Sequence, residues 1–439
     1  MNPRPNRRQF VRALAAATLL APPARAQARP DKIVLGFMGL GGRGCALLGK
    51  FLERKDVEVA HICDVDSRKF PRAAKLLEAA GHPAARTAQD FRRILDDRRV
   101  HALVSATPDH WHVPAAVLAC QAGKDAYIEK PMAHNIREGR MMIDAARRHG
   151  RVIQVGMQSR SSAFVPTALE YIRSGALGTI HLVKVINMMR HEPMKPAPDE
   201  PPPKELDYDL WCGPAAMPPY NPGRRWLNFR EYSCGPIAGD AVHQLDLARQ
   251  LMGDPPAPAS VSHTGGIRVL RDGRDTPDTQ IASFDYGSFT LLFEAALWTG
   301  YQKKTPQDLR DTDDMPNWPF NGTRIEIFGD GGFMYFGRHG DGWQAFDHDG
   351  KLARSVPGKQ SDSEHIGDFI SCVRTRATPV ANAEQGHRSV LLCHLADISW
   401  RTGDRKIDFD AKTETFPGDD AANRLLGRAY REPWAPKAS

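Results

Sequence analysis

Cysteine is scarce in this sequence and shows no pairing pattern. The chain has 7 cysteines among 439 residues, an odd number, and no two of them stand in a CxxC spacing. Disulfide frameworks and zinc sites both depend on regular cysteine spacing. The sequence therefore predicts neither a disulfide scaffold nor a bound metal ion.

Long apolar runs and a strong charge of one sign are also lacking. No segment after Ala26 approaches the roughly 20 apolar residues that cross a bilayer. The formal net charge is +7, but five arginines and no acidic residue precede Gln27, which leaves +2 for the rest of the chain. These absences argue against a nucleic-acid partner and against stable membrane insertion.

The first 26 residues have the composition of an export leader. Arg7 and Arg8 precede a short apolar stretch, and Ala24–Ala26 has the small-x-small form of a cleavage site. The letters around the two arginines, NRRQFV, resemble a twin-arginine (Tat) motif; an ordinary Sec leader is the alternative. We expect residues 1–26 to be a Tat signal peptide and the protein to be periplasmic or secreted.

Residues 31–155 alternate short apolar runs with helical patterns. This alternation is typical of parallel strands joined by crossover helices. The region therefore predicts an N-terminal, doubly wound parallel sheet of the Rossmann type within an α/β protein. The expected strands are Ile33–Met38, Val57–Cys63, His101–Ala106, Ala126–Ile128 and Val152–Val155. The expected helices include Cys45–Arg54, Pro114–Ala122 and Ile136–His149.

Residues 156–415 change pattern and predict a second α/β domain. Strand-like runs between 260 and 346, several of them separated by glycine-containing turns, favour a large, open, mostly antiparallel sheet. A helix is expected at Ile237–Met252. The proline-rich stretch 191–224 is expected to form a long loop over a ligand site. Residues 416–439 are expected to form an irregular tail.

A glycine-rich turn directly follows the first expected strand. The turn has the sequence Gly39-Leu40-Gly41-Gly42-Arg43-Gly44, which fits G-x-G-x-x-G. The first glycine permits the tight turn, the second lets a pyrophosphate approach the backbone, and the third packs the helix on the strand. The motif is weak alone, but the strand before it and the helix after it predict a dinucleotide cofactor.

Asp64 ends the next expected strand, twenty residues after Gly44. A carboxylate at this place binds the ribose hydroxyls of NAD and repels the 2′-phosphate of NADP. The sequence therefore favours NAD, while the nearby Arg68 and Lys69 keep NADP as an alternative. A turn or helix-cap role for Asp64 is the structural alternative.

Two further groups have the residue types needed for acid–base chemistry. Lys130 follows a strand at its carboxyl end, where ligands bind in open α/β sheets; an exposed loop lysine is the alternative. Asp240 and His243 are three residues apart and share a helical face. A carboxylate there can orient the imidazole as a general base, although a helix cap followed by a surface histidine would give the same pattern.

Taken together, these motifs resemble the Gfo/Idh/MocA oxidoreductases, which include glucose–fructose oxidoreductase and inositol 2-dehydrogenase. The resemblance covers most of the chain after the leader. It is carried by Gly39–Gly44 with Asp64, Ala106–His110, Glu129–Pro131, Gly156–Gln158 with Arg160, and His243–Asp246. A secreted, Tat-exported branch of the family is similar at Trp211–Pro214, Tyr220–Pro222 and Gly386–Ser389.

The resemblance implies a Rossmann domain, a C-terminal α/β domain whose open sheet serves oligomerisation, and a homodimer or homotetramer. It places Lys130 and His243 beside the reacting carbinol. It also implies cofactor contacts by Thr107, Pro108, His110, Glu129, Lys130 and Gln158. One position departs from the family: Gly239 stands where an aspartate four residues before the histidine is common. Asp240, one residue later, is therefore the candidate acid.

We expect an NAD(P)-dependent oxidoreductase that transfers hydride between a sugar, sugar derivative or cyclitol and a tightly bound nicotinamide cofactor. The cofactor would be loaded before export, because the Tat route carries folded proteins. The residues expected to contact substrate are Arg160, Tyr220, Arg224, Arg225 and Trp226, with loop packing as the alternative.

Two other functions stay open. Some relatives are NAD-dependent glycosidases that oxidise, eliminate and re-reduce within one site, but Lys130 favours a dehydrogenase because those glycosidases lack that lysine. A non-catalytic sugar-binding protein on the same fold is the second alternative, and Gly239 is its best support.

Overall fold

Two β-sheets organise the chain, one parallel and one mostly antiparallel. The computed structural model describes residues 31–310, 312–359 and 362–434. The predicted signal peptide, residues 1–26, and the last part of the predicted tail, residues 435–439, lie outside the described residues.

The first sheet has six parallel strands. They are β1 (Ile33–Met38), β2 (Val57–Cys63), β3 (Arg86–Ala88), β4 (Ala102–Ser105), β5 (Asp125–Ile128) and β6 (Ile153–Val155). Their spatial order is β3-β2-β1-β4-β5-β6, which is the order of two βαβαβ halves joined back to back. This order confirms the predicted Rossmann sheet. Helices cover both faces of such a sheet, and accordingly β4 and β5 are buried along their whole length.

The crossover helices of this sheet are set by local signals. They are α1 (Gly42–Leu52), α2 (Phe70–Ala79), α3 (Arg92–Asp96), α4 (His112–Gln121) and α5 (Ile136–His149). Helix α5 coincides with its predicted bounds. The Asn135 side chain accepts a hydrogen bond from the backbone N–H of Glu138 at its start, and Gly150 ends it in the left-handed conformation.

The second sheet has nine strands. They are β7 (Ile180–Met188), β8 (Ser260–Gly266), β9 (Thr279–Asp285), β10 (Thr290–Ala296), β11 (Arg324–Gly329), β12 (Gly332–Gly337), β13 (Trp343–Asp347), β14 (Leu352–Val356) and β15 (Ile407–Asp408). Their order is β14-β13-β12-β11-β7-β10-β9-β8-β15. Neighbours are antiparallel except β7 and β10, which are parallel. The prediction of a large, mostly antiparallel sheet is therefore confirmed.

One helix under this sheet combines near-complete burial with many polar residues. The remaining helices are α6 (Phe164–Arg173), α7 (Tyr208–Cys212), α8 (Gly235–Leu251), α9 (Gln307–Arg310), α10 (Asp362–Thr375), α11 (Ala383–Arg401) and α12 (Asp420–Asn423). Helix α8 packs between β7 and α11 and buries almost every residue, including Asp240 and His243. Buried polar groups need partners or a function, which singles out α8.

Helix α10 returns to the Rossmann core, although it lies in the range predicted for the second domain. Phe369 packs against Phe51 and Tyr127, with ring centroids 6.4 and 5.7 Å apart. Ile366 and Ile370 join the same apolar cluster. The first core is therefore built from two distant parts of the chain.

The end of the chain also returns to the Rossmann domain. In the C-terminal strap, residues 428–434, the guanidinium of Arg428 and the hydroxyl of Tyr430 both donate to Glu138 at 2.7 Å. Trp434 packs edge-on against Trp111 with centroids 5.0 Å apart. The predicted tail thus contains an ordered, docked segment.

Over the described ranges, none of the helices is both long enough and apolar enough to cross a membrane. All seven cysteines are free thiols.

Candidate active site

A cavity of about 680 Å³ lies where the carboxyl ends of the parallel strands face the start of α8. Its wall includes Gly39 after β1, Asp64 after β2, Thr107 after β4 and Lys130 after β5, opposite Asp240 of α8. Its volume lies in the range of small-molecule sites. Ligands bind at this edge of an open α/β sheet, so the cavity is the candidate active site.

The glycine-rich turn between β1 and α1 forms one end of the cavity. Gly39 has φ +86°, and a Cβ there would lie 2.7 Å from the Ala106 carbonyl oxygen. A Cβ on Gly44 would lie 1.9 Å from the Gly39 oxygen. Gly41 and Gly42 instead face open space, with no atom within 4 Å of an added Cβ. Gly39 and Gly44 therefore pack too tightly for a side chain, whereas Gly41 and Gly42 face the open cavity.

Asp64 supports that turn while lining the cavity. Its Oδ2 accepts a hydrogen bond from the backbone N–H of Leu40 at 2.7 Å, and its Oδ1 accepts from the N–H of Asp66 at 2.9 Å. Burial raises the pKa of Asp64. A carboxylate has about four lone-pair sites, so these two bonds leave acceptor capacity for a ligand hydroxyl. The turn role and the binding role considered for Asp64 are therefore compatible.

Of the residues predicted to line the nicotinamide ribose, Thr107 and Pro108 lie in the cavity wall, but His110 does not. The His110 ring is fully buried and contacts the carbonyl oxygens of Trp211 at 3.0 Å and Tyr232 at 3.3 Å. Burial lowers the pKa of His110 to about 3. A neutral imidazole has one N–H and can donate to one of these two carbonyls while it packs against the other, so His110 has a structural role in joining the segment around Trp211 and Tyr232 to the Rossmann domain.

Glu129 is the centre of a buried hydrogen-bond network. Its Oε1 accepts from Arg43 Nε and from Gln158 Nε2, both at 2.9 Å. Burial would raise the pKa of Glu129, but the charges of Arg43 and Lys130 lower it below its ordinary value. Gln158 also donates to Tyr127 and is not part of the cavity wall. Gln158 therefore holds the Glu129 carboxylate in place from outside the cavity.

Lys130 lies against the first part of α8. Its Nζ donates to the backbone carbonyl of Gly239 at 2.6 Å, and both residues line the cavity. His243 follows Gly239 by one helical turn and is 5% exposed. His243 is not part of the cavity wall, but the charge of Lys130 helps to lower its pKa, so the two predicted catalytic residues, which come from different domains, lie near each other.

His243 is a neutral, incompletely bonded imidazole. Its Nδ1 is enclosed without a hydrogen-bond partner among the described residues, which leaves Nε2 as the nitrogen able to meet a ligand. Burial lowers the pKa of His243 well below its ordinary value, and the charges of Arg338 and Lys130 add to this effect. A neutral imidazole can accept a proton.

Asp240 does not have the partner that the sequence suggested. Its Oδ1 lies 2.5 Å from Lys304 Nζ and 2.9 Å from Arg338 Nη1, and its Oδ2 accepts from Asn187 at 2.8 Å. Burial would raise the pKa of Asp240, but Arg338 and Lys304 hold it well below its ordinary value. The expectation that Asp240 orients His243 is corrected: this ionised carboxylate anchors Lys304 instead.

Arg160 is also placed away from the cavity wall. Its guanidinium contacts both oxygens of Asp246 at 2.8 Å and bonds to Asp254. Asp246 additionally accepts from Ser389. All three nitrogens of this guanidinium bond to Asp246 or Asp254, so the structure gives Arg160 a buried ion pair that joins α8 to the residues after β6 in place of the predicted substrate contact.

Three of the four loop residues predicted to contact substrate line the cavity: Tyr220, Arg224 and Trp226. Arg225 does not; its Nη1 donates to the Glu192 carbonyl at 3.3 Å. Arg224 lies over the Phe229 ring at 5.1 Å. The alternative of loop packing therefore describes Arg225.

The proline-rich loop covers the end of the cavity next to Asp64. Asp66 forms an isolated antiparallel bridge with Leu206. On either side of it, Ser67 donates to the Glu205 carbonyl and Asp207 donates to the Val65 carbonyl, each at 3.0 Å. The expected position of the loop over the site is thus observed in detail.

Several polar residues of the site escaped sequence reasoning: Lys304, Arg338, Asn187 and His191. Lys304 and His191 line the cavity, and burial together with nearby cations lowers the pKa of His191. Asn187 is a buried polar residue in an apolar strand, a signal that could have been used. Lys304 lies in a segment without strand or helix pattern, so nothing local marks it.

Two family models match the chain. The NAD-binding Rossmann fold of the Gfo/Idh/MocA oxidoreductase family matches residues 33–157. The C-terminal alpha/beta domain of the oxidoreductase family matches residues 191–265 and 333–436. Together these ranges cover well over half of the chain.

Curated relatives match a shorter region. A glycosyl hydrolase family 109 protein of Stenotrophomonas maltophilia is 38% identical over 125 residues, which are 27% of this chain and 28% of that protein. Levoglucosan dehydrogenase of Pseudarthrobacter phenanthrenivorans is 38% identical over 91 residues, which are 21% of this chain and 23% of that protein. The chain thus aligns with only about a quarter of the length of these relatives.

A solved structure shows the same fold over almost its whole length. The WlbA dehydrogenase of Bordetella pertussis, in complex with NADH and UDP-GlcNAcA, has a TM-score of 0.64 at 23% identity. The match covers 86% of this chain and 99% of that chain.

Proposed function

Because the chain belongs to the Gfo/Idh/MocA family of NAD-dependent oxidoreductases, we propose that it oxidises a hydroxyl group of a sugar, a sugar derivative or a cyclitol. The observation that carries the proposal is the contact of Lys130 with the turn of α8 that precedes His243, in the wall of the cavity. Carbinol oxidation requires a hydrogen-bond donor and a neutral base near the reacting hydroxyl group, and in this proposal Lys130 and His243 have these roles.

The residues at the glycine-rich turn fit NAD. The open faces of Gly41 and Gly42 leave the N-terminus of α1 accessible from the cavity, and backbone N–H groups at a helix N-terminus bind phosphate. Asp64 retains acceptor capacity for ribose hydroxyls. When bound there, NAD supplies the hydride acceptor of the reaction.

In the proposed oxidation the neutral imidazole of His243 accepts the hydroxyl proton at Nε2. NAD held at the glycine-rich turn would take the hydride from the carbon that carries the hydroxyl, which would leave a carbonyl group on the substrate. Lys130 uses one N–H for the Gly239 carbonyl, and an ammonium has three. A second N–H can therefore bond to the substrate oxygen and stabilise its developing negative charge.

The choice of NAD over NADP rests on two neighbouring acids. Asp64 lines the cavity and would repel a 2′-phosphate. Arg68, the cation nearest in sequence, bonds to both oxygens of Asp66 at 2.7 and 2.9 Å. Its guanidinium is thus engaged, which supports NAD as the preferred cofactor, while Lys69 in the cavity wall keeps NADP as the alternative.

The proposed function is tested with the purified full-length protein. Mass spectrometry of the ligand released on denaturation is expected to identify NAD or NADH. Addition of sugars and cyclitols to the NAD-loaded protein is expected to produce the absorbance of reduced nicotinamide in a single turnover. The absence of any signal across the panel would contradict the dehydrogenase proposal and would favour a non-catalytic binding protein.

A second candidate function is favoured by the relatives named glycosyl hydrolase family 109 proteins. In that case the hydride would return to the sugar after elimination of the aglycone. Product analysis separates the two: an oxidised sugar accumulates in the first case, and free aglycone with no net change of the cofactor in the second. Lys130 supports the dehydrogenase.

We also propose Tat export, which rests on Arg7 and Arg8 in the leader. Replacement of both arginines by lysine is expected to leave unprocessed protein in the cytoplasm. If the variant with both lysines is processed and found in the periplasm, the Tat route is excluded.

We further propose that the protein is a homodimer or homotetramer that pairs through its second sheet. Aromatic rings cover part of one face: Phe333 stacks on Phe346 with centroids 4.8 Å apart and meets Tyr335 edge-on at 5.4 Å. Analytical ultracentrifugation is expected to give a dimer or tetramer for the wild type and a smaller species for Phe333→Asp. A monomeric wild type would contradict the proposal.

A further inference from the structure

Cations outnumber carboxylates where α8 meets the cavity. Lys130, Lys304 and Asp240 line this part of the wall, and Arg338 lies next to it against Asp240. Asp240 Oδ1 lies 2.5 Å from Lys304 Nζ and 2.9 Å from Arg338 Nη1. One negative charge is therefore shared by two of the three cations.

The other carboxylates of the wall on this side are engaged elsewhere. Glu129 is paired with Arg43 at 2.9 Å. Asp109 is 1% exposed, and its Oδ2 accepts from the Ser233 hydroxyl and the Cys234 N–H at 2.9 and 3.0 Å. The charge of Lys130 acts on both of these carboxyl groups, whereas Lys304 and Arg338 are paired with Asp240.

The surplus cations also have unused donors. Arg338 is 8% exposed, and its Nη1 is enclosed without an aligned hydrogen bond among the described residues, although it lies near Asp240. Lys304 lines the cavity with 37% of its side chain exposed. An ammonium has three N–H donors, and the bond to Asp240 uses one of them.

Gly239 leaves space beside these cations. It lines the cavity next to Lys130 and adds no side chain of its own. An added Cβ would meet Leu227 at 3.4 Å and no other atom within 4 Å. A ligand group can therefore reach the region between Lys130 and Lys304.

We propose that the substrate is a sugar that carries an anionic group, a carboxylate or a phosphate, which binds Lys304 on the α8 side of the cavity. The inference rests on the proposed function and names its substrate class. Surplus charge in a partly buried site is costly unless it is paired. An anion placed there gains charge-assisted hydrogen bonds, which are stronger than neutral ones, and an uncharged sugar does not.

The test measures binding and turnover separately on the NAD-loaded protein. Matched sets of glucose, glucuronate and glucose 6-phosphate, and of the galactose series, are titrated by calorimetry and assayed for nicotinamide reduction. At least one anionic member is expected to bind about ten- to a hundredfold more tightly than its neutral counterpart, the range of one charge-assisted hydrogen bond. The carboxylate and phosphate arms distinguish the two anions.

Three variants assign the effect to Lys304. Lys304→Met is expected to remove the preference for the anionic sugar, whereas Lys304→Arg, which keeps the charge, is expected to retain most of it. Lys303→Met, at the exposed neighbouring lysine, is the matched control and is expected to behave as the wild type. Gly239→Asp, which adds a carboxylate beside Lys130, is expected to weaken binding of the anionic sugar.

The outcomes separate this inference from the proposed function. Tight binding of an anionic sugar without nicotinamide reduction would support the inference and contradict the dehydrogenase proposal. Reduction with neutral and anionic sugars at equal affinity would do the reverse. Absence of binding by every anionic probe, or an unchanged preference in Lys304→Met, would overturn the inference.

Discussion

The two sides of the cavity handle charge differently. On the cofactor side, Arg43 is paired with Glu129 and Asp362, and Arg68 with Asp66. On the substrate side, Lys304 and Arg338 share Asp240. A glycine-rich turn can bind its ligand through backbone N–H groups and close fit, so its surrounding charges can be neutralised. On the substrate side, two cations share one carboxylate, so in our proposal the charge of the side chains selects the ligand.

The largest expected effect lies where the two sides meet. Lys130→Met and His243→Ala are each expected to lower the rate of hydride transfer by about two to four orders of magnitude, the range for loss of general acid–base catalysis. Single-turnover absorbance of the reduced nicotinamide measures the rate. Mass spectrometry of the bound dinucleotide is the control, since neither change touches the glycine-rich turn. A wild-type rate in either variant would contradict the mechanism.

The pH dependence of the same step sharpens this prediction. His243 must be neutral to accept a proton, and burial lowers its pKa well below the ordinary value. The activity is therefore present above that lowered pKa and is lost as the pH falls through it. We expect the acid limb of the kcat/KM profile below the ordinary imidazole value of about 6.5. An acid limb at or above that value would contradict a buried, neutral His243.

A change confined to the cofactor side should have a smaller effect. Asp64→Ala is expected to weaken NAD binding by about 1.5–3 kcal/mol for each charge-assisted hydrogen bond that is lost, and to relax discrimination against NADP. Titration of cofactor-stripped protein with both dinucleotides measures this. Asp64→Asn, which keeps an acceptor oxygen without the charge, is expected to relax discrimination with less loss of NAD affinity. Unchanged affinities in both variants would remove Asp64 from the site.

The close packing of the glycine-rich turn can be tested by comparing an alanine substitution at Gly44 with one at Gly49, another glycine of helix α1. Gly44→Ala is expected to destabilise the protein by about 1–3 kcal/mol, the usual cost of overpacking, because its Cβ would lie 1.9 Å from the Gly39 oxygen. Gly49→Ala, with no atom within 4 Å, is expected to be neutral or to stabilise by up to about 1 kcal/mol. Denaturant unfolding measures both. Equal effects would contradict the packing of the turn.

The smallest effect is expected from the C-terminal strap. Trp434→Ala removes an edge-on contact with Trp111 and a cation–π contact with Arg92. Such contacts are worth roughly 0.5–1.5 kcal/mol. We expect a loss of stability of this size, measured by denaturant unfolding. An unchanged midpoint of unfolding would contradict a stabilising contact between Trp434 and the Rossmann domain.

The parallel sheet could be predicted from the sequence because its signals are local. Strands β1 and β2 coincide with their predicted bounds, since strands covered on both faces are continuous apolar runs. Strand β3 was not predicted because it has only three residues and these are largely exposed, so they form no apolar run. Residues 364–376, most of helix α10, have a helical pattern in the sequence, but the docking of this helix on Phe51 depends on tertiary contacts that no local pattern records.

The cofactor side of the cavity could likewise be predicted from local sequence signals, whereas the substrate side could not. Gly39 to Gly44 and Asp64 lie within one βαβ unit, so their spacing alone predicted their meeting at the cavity. Asp240, Lys304 and Arg338 come from a helix and two separate connecting segments of the second domain. Their mutual contacts arise only when the nine-stranded sheet has formed. The partner of Asp240 was for this reason predicted wrongly, although the residue itself was correctly placed at the cavity.

The return of α10 to the Rossmann core has a consequence for the order of events during synthesis. The ribosome releases the six parallel strands long before it makes Phe369, yet Phe51 and Tyr127 pack against that ring. The nascent N-terminal portion therefore waits with part of its apolar interior uncovered while more than two hundred residues are translated. A chain that ends before α10 leaves this apolar surface exposed, which makes it prone to aggregation.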